Sequence, residues 1–453
     1  MKKKILAYAL TVILLLSFSC AFAEPEKEGD QVNNEEKITS LTAKSPHVIL
    51  LDLKTGTVLY KKGADEKVYP AALTNIMTAL LVLENCNLEE LVPASDTALS
   101  NVAAGDSKMG IIKDEKLSVR QLLYGMMLSS ASDAANLLAE KTSGSIDDFV
   151  ALMNKRAEEL GMKNTCFANP TGEHDERHYT TAADMAILTR EAMKNETFAE
   201  IVKAKSYSIP ATEKCHTARK ITNRNHFVSN LLRNDYYYEW STGIKTGYSI
   251  EAKSCIAVSA EKGSISLLAL VFEADTVENV ALSFQDARNM FDYVFENYAS
   301  ETIAKKDEII AQTNLENARR EKKLILKTQN EVSFIKTKDT KESTITYKDN
   351  IPQKVSAPVK ENAIIGTREY FVDGKSIGTV NLLAKKSYKL DPVTFLVNKM
   401  IAFITSPWLF VAIAIAIFIF VIAERRRRRI LRQKRREARK RRNRELMDSI
   451  YED

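Results

Sequence analysis

The chain has 453 residues, which is more than one ordinary domain needs and enough for two or three. Hydrophobic residues make up 45% of it and charged residues 27%, so we expect most of the chain to fold rather than to remain disordered. The formal net charge is +6, but residues 424–453 alone hold 14 Lys or Arg against 6 Asp or Glu. The positive balance therefore belongs to one segment and does not indicate a basic fold.

The N-terminus has the pattern of a secretory signal. A basic start at Lys2-Lys3-Lys4 precedes an apolar run, and Ala21-Phe22-Ala23 provides a small-residue cleavage site. We expect residues 1–23 to be a signal peptide. Residues 24–44 are rich in Glu, Asn and Lys and predict a disordered leader.

Five cysteines are present, and none has metal-ligand spacing such as C-x-x-C. Cys20 leaves a lipoprotein open as an alternative, although Ser17-Phe18-Ser19 is a poor lipidation context. An exported protein permits disulfides, but nothing in the sequence pairs the others. These four cysteines are Cys86, Cys166, Cys215 and Cys255.

The first long segment predicts an α+β domain over about residues 45–298. Two short strands at 48–53 and 57–60 flank the turn Lys54-Thr55-Gly56, which is a hairpin pattern. Residues 71–84 have apolar side chains at helical spacing. Further helices are predicted at 118–140, with Ser118 as N-cap, at 146–160 and at 180–193, and further strands at 254–260 and 264–272.

A small all-β domain is predicted over residues 299–388. Short β-patterned runs alternate there with charged turns, and Asp373-Gly374 is a strong hairpin turn. The runs are 324–326, 332–335, 343–347 and 370–372, followed by 375–377 after the turn.

The C-terminal part predicts a membrane anchor. After a linker at 389–399, residues 400–423 are apolar enough to span a bilayer. The Arg-rich segment 424–453 follows at once, and the positive-inside rule places it in the cytoplasm with the bulk of the chain outside. Such a tail could bind nucleic acid, but we favour a stop-transfer signal on anionic lipid, with no nucleic-acid partner.

Three segments carry the chemistry that the sequence suggests. They are Tyr69 to Leu80 (YPAALTNIMTAL), Ser130-Ala131-Ser132 before Asp133-Ala134-Ala135, and Gly243 to Tyr248 (GIKTGY). In order and spacing they resemble the D-alanyl-D-alanine carboxypeptidases, the low-molecular-weight penicillin-binding proteins of peptidase family S11. That family uses the motifs S-x-x-K, S-x-N and K-T-G. The resemblance covers about residues 45–390 and implies a penicillin-binding, β-lactamase-like transpeptidase fold followed by the small β-domain.

The resemblance implies that the first motif has lost its chemistry. Acyl transfer to serine needs a nucleophile with a base beside it, and residues three apart share a helix face. Ala72 stands at the position of the nucleophilic Ser, and Asn75 stands at the position of the basic Lys. Ala72 offers no hydroxyl, and Asn75 cannot accept a proton at neutral pH.

The other two motifs are better preserved. Ser130 keeps the Ser that would relay protons, whereas Ser132 replaces the Asn of S-x-N and would contact substrate differently. Two helix-cap serines are the alternative interpretation. In the third motif Lys245 would hold the terminal carboxylate of the substrate, and the strand would pair with it. This motif also includes Thr246, Gly247 and Tyr248.

Other matches to these patterns have weaker contexts. Ser259 to Lys262 and Ser333 to Lys336 are formal S-x-x-K strings in strand or turn contexts, not at a helix start, and Lys54-Thr55-Gly56 is a K-T-G in a turn. His174 and His178 are four apart but lie in a predicted loop, where that spacing does not indicate metal binding. We therefore expect no metal and no cofactor.

These observations leave three candidate functions. The one we favour is a membrane-anchored, catalytically impaired pseudoenzyme that binds peptidoglycan stem peptides ending in D-Ala-D-Ala, or other cell-wall enzymes. The second is an active serine-type carboxypeptidase that trims stem peptides. The third is a transmembrane assembly or signalling protein that acts through its basic tail. The anchor itself departs from the family, many of whose members use a short amphipathic C-terminal helix.

Overall fold

The computed structural model of the chain describes residues 41–450, with gaps at 233–234, 278–279 and 341. The predicted signal peptide and most of the predicted leader lie outside the described residues.

A five-stranded antiparallel sheet organises the first part of the chain. Its strands are β1 His47–Asp52, β2 Val58–Lys62, β7 Ser241–Ser249, β8 Lys253–Lys262 and β9 Ile265–Ala274. Their order is β2-β1-β9-β8-β7, which places β7 at an edge. The β1–β2 pairing confirms the predicted hairpin, and the strands predicted at 254–260 and 264–272 are β8 and β9, which pair with each other. Nearly all of β9 is buried because its residues are apolar on both faces.

Three two-stranded ribbons lie outside this sheet. They are β3 Leu91–Pro93 with β4 Lys116–Ser118, β5 Ser206–Ile209 with β6 Arg219–Thr222, and β10 Thr276–Val277 with β11 Val280–Ala281.

Eight α-helices belong to the described part of this region. They are α1 Asn75–Asn85, α2 Asp96–Ser100, α3 Val119–Ser129, α4 Ser132–Ser143, α5 Ile146–Glu159, α6 Ala182–Met193, α7 Glu196–Lys203 and α8 Leu282–Asn297. The predictions at 146–160 and 180–193 are confirmed. The predicted helix at 71–84 is also confirmed, with a 3-10 turn at Ala71–Thr74 as its first turn.

The predicted helix at 118–140 is wrong in one respect, because it is two helices. Ser118 caps α3 in a capping box with Gln121, as the sequence indicates. Ser130 then has φ 57°, a left-handed conformation that a continuing helix cannot contain, and its N–H bonds to the carbonyl of Gly125. α4 starts afresh at Ser132. Ser130 therefore lies between two helices and belongs to neither.

The sequence analysis also missed α8, although its signal is present. Phe284, Ala287, Phe291 and Val294 recur at helical spacing and are buried.

α1 lies at the centre of the hydrophobic core. It contacts α3, α4, α5, α6 and α7. All residues from Asn75 to Val82 are buried, so this part of the helix is covered around its whole circumference. A helix surrounded in this way has little freedom to shift, and its first turn is therefore held in a defined position.

The second part of the chain is all-β, as predicted. Its strands are β12 Tyr298–Ala304, β13 Ile309–Glu316, β14 Lys323–Thr328, β15 Val332–Thr337, β16 Ile345–Asn350, β17 Lys354–Ser356, β18 Ile364–Val372 and β19 Lys375–Ala384. β12 pairs with β15, and the other six form one sheet in the order β16-β18-β19-β14-β13-β17. The β18–β19 pairing confirms the turn at Asp373-Gly374. A separate core, which includes Leu324, Leu326 and Leu382, lies within this region.

Two helices follow, the apolar α9 Pro392–Ile404 and the longer α10 Pro407–Ile450, which is apolar only in its first part. The predicted linker at 389–399 is largely helical, since Asp391 caps α9 there by accepting from the backbone N–H of Thr394. The predicted span at 400–423 is divided by Thr405 and Ser406. Within the described residues, one helix is long and apolar enough to cross a membrane, over 407–443.

Candidate functional site

The fold brings together the three segments that the sequence singled out. The 3-10 turn at Ala71–Thr74 lies against edge strand β7, since a Cβ atom built on Gly247 would be 3.0 Å from the backbone nitrogen of Ala72. Lys245 of the same strand donates from Nζ to Oγ of Ser130, at 2.5 Å. The start of α1, the α3–α4 break and β7 therefore form one site.

Ala72 is half-buried in the first turn of this helix and presents only a methyl group. Asn75 is 2% exposed, and its Nδ2 donates to the carbonyls of Pro170 and Thr171 at 3.2 and 3.3 Å. Its Oδ1 has no hydrogen-bond partner among the described residues. The side chain at this position thus ties the helix to a neighbouring loop and carries no charge.

That loop presses on the helix start. Asn169 Oδ1 accepts from the backbone N–H groups of Thr171 and Gly172 at 3.2 and 2.8 Å, which closes the loop tightly. Gly172 has φ 87°, and a Cβ there would lie 1.8 Å from the carbonyl oxygen of Ala71. The Gly in this compact loop was the signal for a close backbone approach.

Lys245 is a buried ionisable group of the site. It is 2% exposed. Burial, and to a lesser degree the charge of Arg224, lower the pKa of Lys245 to about 7. Both protonation states are therefore accessible near neutral pH, and the lysine can gain a proton when an anion arrives.

Ser130 and Ser132 have different partners. Ser130 ends α3 and is partly exposed, with its hydroxyl on Lys245. Ser132 is buried, and its hydroxyl donates to Oδ2 of Asp106 at 2.7 Å while its backbone N–H bonds to the carbonyl of Ser107. Ser132 thus fastens the 106–107 loop to α4. Sequence analysis missed Asp106, since no local pattern links it to Ser132.

The rest of the K-T-G strand faces outward to different degrees. Thr246 is half-buried, Gly247 is buried and Tyr248 is 73% exposed. β7 pairs with β8 on one side, and among the described strands none pairs with its other side. The free edge of β7 is therefore a position where an extended peptide can add.

The formal motif matches elsewhere lie outside this site. Lys54-Thr55-Gly56 is the turn of the β1–β2 hairpin. Ser259 is buried in β8, bonded to Thr242. In β15, Lys336 pairs with Glu301. These contacts give the three strings ordinary structural roles.

The two histidines do not share a site. His178 is buried between the Thr74 hydroxyl and the Ala168 N–H, and burial lowers its pKa to about 4. His174 packs edge-on against Tyr69. Across the described residues, no group of three His, Cys, Asp or Glu side chains could hold a metal ion. The four described cysteines are free.

Comparison with known proteins identifies the family. The profile of the D-alanyl-D-alanine carboxypeptidases matches residues 32–276. The chain belongs to this family. The profile of the C-terminal domain of penicillin-binding protein 5 matches residues 298–390. The family consists of serine-type carboxypeptidases that act on D-Ala-D-Ala stem peptides of peptidoglycan.

Individual relatives agree with this assignment. The chain is 30% identical to D-alanyl-D-alanine carboxypeptidase DacF of Bacillus subtilis over 88% of this chain and 98% of that protein. A solved Streptomyces DD-transpeptidase is 32% identical, with a TM-score of 0.51, over 56% of this chain and 99% of that one. A peptidoglycan synthesis regulatory factor from Streptococcus pneumoniae has a TM-score of 0.63 at 21% identity, over 77% of this chain and 100% of that one, and supports the fold alone.

The contact between Gly172 and Ala71 predicts that Gly172→Ala lowers the free energy of unfolding more than the same substitution at an uncrowded glycine. Gly161 provides a matched control, because its φ of 80° is similar but no atom lies within 4 Å of its Cβ position. Both substitutions place an alanine in the left-handed region, at a cost of about 1–2 kcal/mol. Gly172→Ala also forces two backbones apart, which adds about 1–3 kcal/mol. Urea unfolding of the two variants measures the difference, and equal losses would contradict the contact.

Proposed function

We propose that this chain is a membrane-anchored member of the family that binds D-Ala-D-Ala stem peptides without hydrolysing them. One observation carries the proposal: the helix start presents Ala72 and Asn75, while Lys245 is intact beside Ser130. The first pair cannot perform acyl transfer, whereas the second can still hold a carboxylate. The site therefore supports recognition better than catalysis.

The absence of catalysis follows from what acyl transfer requires. A nucleophile at the helix N-terminus attacks the peptide carbonyl, and a base beside it removes the proton. Residues that act in this way work as a unit, so the loss of both is no milder than the loss of one. Asn75 is also engaged with the carbonyls of Pro170 and Thr171, and it has no proton-accepting group for this step.

Binding remains supported by charge and shape. Lys245 is buried, so a carboxylate that reaches it meets a cation with little competing water. The free edge of β7 offers backbone groups to an extended peptide. Asn75 has no charge, and thus does not compete with Lys245 for the carboxylate.

A second candidate is residual serine chemistry from Ser130. Its Oγ is 2.5 Å from Nζ of Lys245, and the lowered pKa of that lysine suits a general base. In this alternative the chain is an active carboxypeptidase with its nucleophile on a different element. Covalent labelling separates the two candidates.

For location, we infer an exported protein held by one span. The apolar part of α10 precedes Arg425 to Arg429, and this order of charge supports a cytoplasmic tail. The transpeptidase-like part and the β-domain then lie outside, where peptidoglycan is.

Penicillin labelling tests the lack of catalysis. We expect intact mass spectrometry to show no penicillin adduct on the wild type, because Ala72 offers no oxygen. The double variant Ala72→Ser with Asn75→Lys restores nucleophile and base, and should gain one adduct at position 72. Ala72→Ser alone is the control and should label much more slowly. An adduct on wild-type Ser130 would favour the second candidate instead.

Calorimetric titration with a D-Ala-D-Ala peptide tests the role of Lys245. A hydrogen bond to a charged group contributes about 1.5–3 kcal/mol, so Lys245→Ala should weaken binding roughly 10- to 150-fold. Ser130→Ala keeps the cation and should have a much smaller effect. Equal affinities in all three proteins, or no binding by the wild type, would refute a peptide site.

The pH dependence of binding follows from the lowered pKa of Lys245. A bound carboxylate stabilises the charged lysine, so the pKa in the complex lies above the value of about 7 in the free protein. Affinity should be highest below that pKa and should fall as the pH rises above it, by about tenfold per unit until the pKa of the complex is reached. Titrations in buffers of different ionisation enthalpy should show proton uptake near neutral pH. Lys245→Ala should lose this dependence, and a flat wild-type profile would contradict it.

Protease added to intact protoplasts tests the topology. The part of the chain before α9 should be degraded, and a peptide containing the Arg-rich end of α10 should survive inside the cell. Lysed protoplasts serve as the control, in which both parts are cleaved. Protection of the N-terminal part in intact cells would reverse the proposed orientation.

A further inference from the structure

The helix α10 continues far beyond the segment that a membrane can use. Residues 408–423 are apolar, and residues 425–444 hold 14 Lys or Arg with Glu437 as their single acidic residue. The structure keeps one unbroken helix from Pro407 to Ile450. The described side chains from Arg425 to Asn443 are all exposed. Much of this positive charge is thus available to a partner.

The membrane accounts for only the first of these charges. The 16 apolar residues 408–423 rise about 24 Å. The hydrocarbon core of a bilayer is about 30 Å thick, so Arg425 to Arg429 lie at its boundary. Attraction to lipid charge fades within about 8 Å at physiological salt, or roughly five further residues. Most of residues 432–444, which we call the distal basic segment, lies beyond that range.

The distal basic segment also lacks the face that a surface helix needs. Its nine Lys or Arg fall on every side of the helix when successive residues are placed about 100° apart. A helix that lies on lipid requires an apolar side to bury, and Ala438 is the only apolar residue of this segment. A bilayer, or a flat acidic protein surface, would also contact one side alone and leave the other cations unused.

Duplex DNA provides anionic groups on both sides of a helix. The major groove is about 12 Å wide, admits one α-helix and is bordered by phosphates along both walls. We propose that the distal basic segment binds double-stranded DNA through its phosphates, without reading sequence. Arg and Lys supply such contacts, and these position a protein on DNA but do not distinguish bases. The unbroken helix argues against a stop-transfer signal as the whole role of the tail, because it extends the distal charges away from the lipid.

DNA binding by the distal basic segment would be separate from peptide binding in the cleft. In the cell it requires the cytoplasmic placement of the tail proposed above. A chain that binds no stem peptide could still bind DNA, and a chain that binds no DNA could still bind stem peptides.

The test uses the full chain in nanodiscs of phosphatidylcholine, which carry no net charge and expose both faces. Fluorescence anisotropy with a labelled duplex of about 20 base pairs gives the affinity at several salt concentrations. Two variants each replace four cations by Gln. The distal variant carries Arg439→Gln, Lys440→Gln, Arg441→Gln and Arg442→Gln, and the proximal variant carries Arg425→Gln, Arg426→Gln, Arg427→Gln and Arg429→Gln. Arg428 is kept in the proximal variant because it pairs with Glu424.

We expect the wild type to bind the duplex with a steep salt dependence. Each phosphate contact adds about 0.9 to the slope of log affinity against log salt, so the distal variant should lose up to about 3–4 of slope and at least about tenfold in affinity. The proximal variant should bind nearly as the wild type does. Unrelated duplex sequences should bind equally.

Several results would overturn the proposal. They are an absence of duplex binding by the wild type, equal losses in the two variants, and equal affinity for an unstructured single strand. Phosphatidylserine vesicles identify the competing partner. If the distal variant loses affinity for those vesicles while no protein binds the duplex, the segment is a lipid-binding element instead.

Discussion

The site depends on one packing constraint, the position of the first turn of α1. Two glycine-containing backbones approach that turn closely. A Cβ atom on Gly172 would overlap Ala71, and one on Gly247 would be only 3.0 Å from the backbone nitrogen of Ala72. Behind the turn, α1 is buried on all sides. The result is a rigid helix start that faces the edge of β7. These contacts are made by the backbone, so they hold the turn whether position 72 carries a hydroxyl or a methyl group.

The second constraint is electrostatic. Holding Lys245 out of water disfavours its charged form, and the Ser130 hydroxyl compensates only in part. A buried cation of this kind is unfavourable for folding, and a ligand that supplies the missing anion relieves it. This gives the cleft a physical reason to bind a carboxylate. Asn75 also has a buried group without a hydrogen-bond partner among the described residues, its Oδ1.

The two C-terminal helices are stabilised differently from the rest of the chain. α9 and α10 are stabilised as helices by their own backbone bonds and pack little of their surface on the rest of the chain, since the described side chains of α9 include none that is buried. Their structure is therefore local, and partners outside the described fold must cover their apolar and basic segments. In the proposed topology the apolar part of α10 lies in lipid. We propose a different partner for the basic part of the same helix, an anion that extends around it.

Local sequence patterns determined much of this protein. The β1–β2 hairpin, the capping box at Ser118, the turn at Asp373-Gly374 and the apolar run of α10 each depend on residues close together in the chain. Family motifs placed Ala72 and Asn75 at a helix start in the same way.

Tertiary structure decided the contacts that make the site. Lys245 and Ser130 are 115 residues apart, and only the packing of β7 against the α3–α4 break brings them together. The same holds for Ser132 with Asp106 and for Gly172 with Ala71. The pKa of Lys245 is likewise set by burial, which no local pattern reports. Periodicity indicates which face of a helix or strand is apolar. The partner of a polar side chain depends on which helices and strands become neighbours when the core packs.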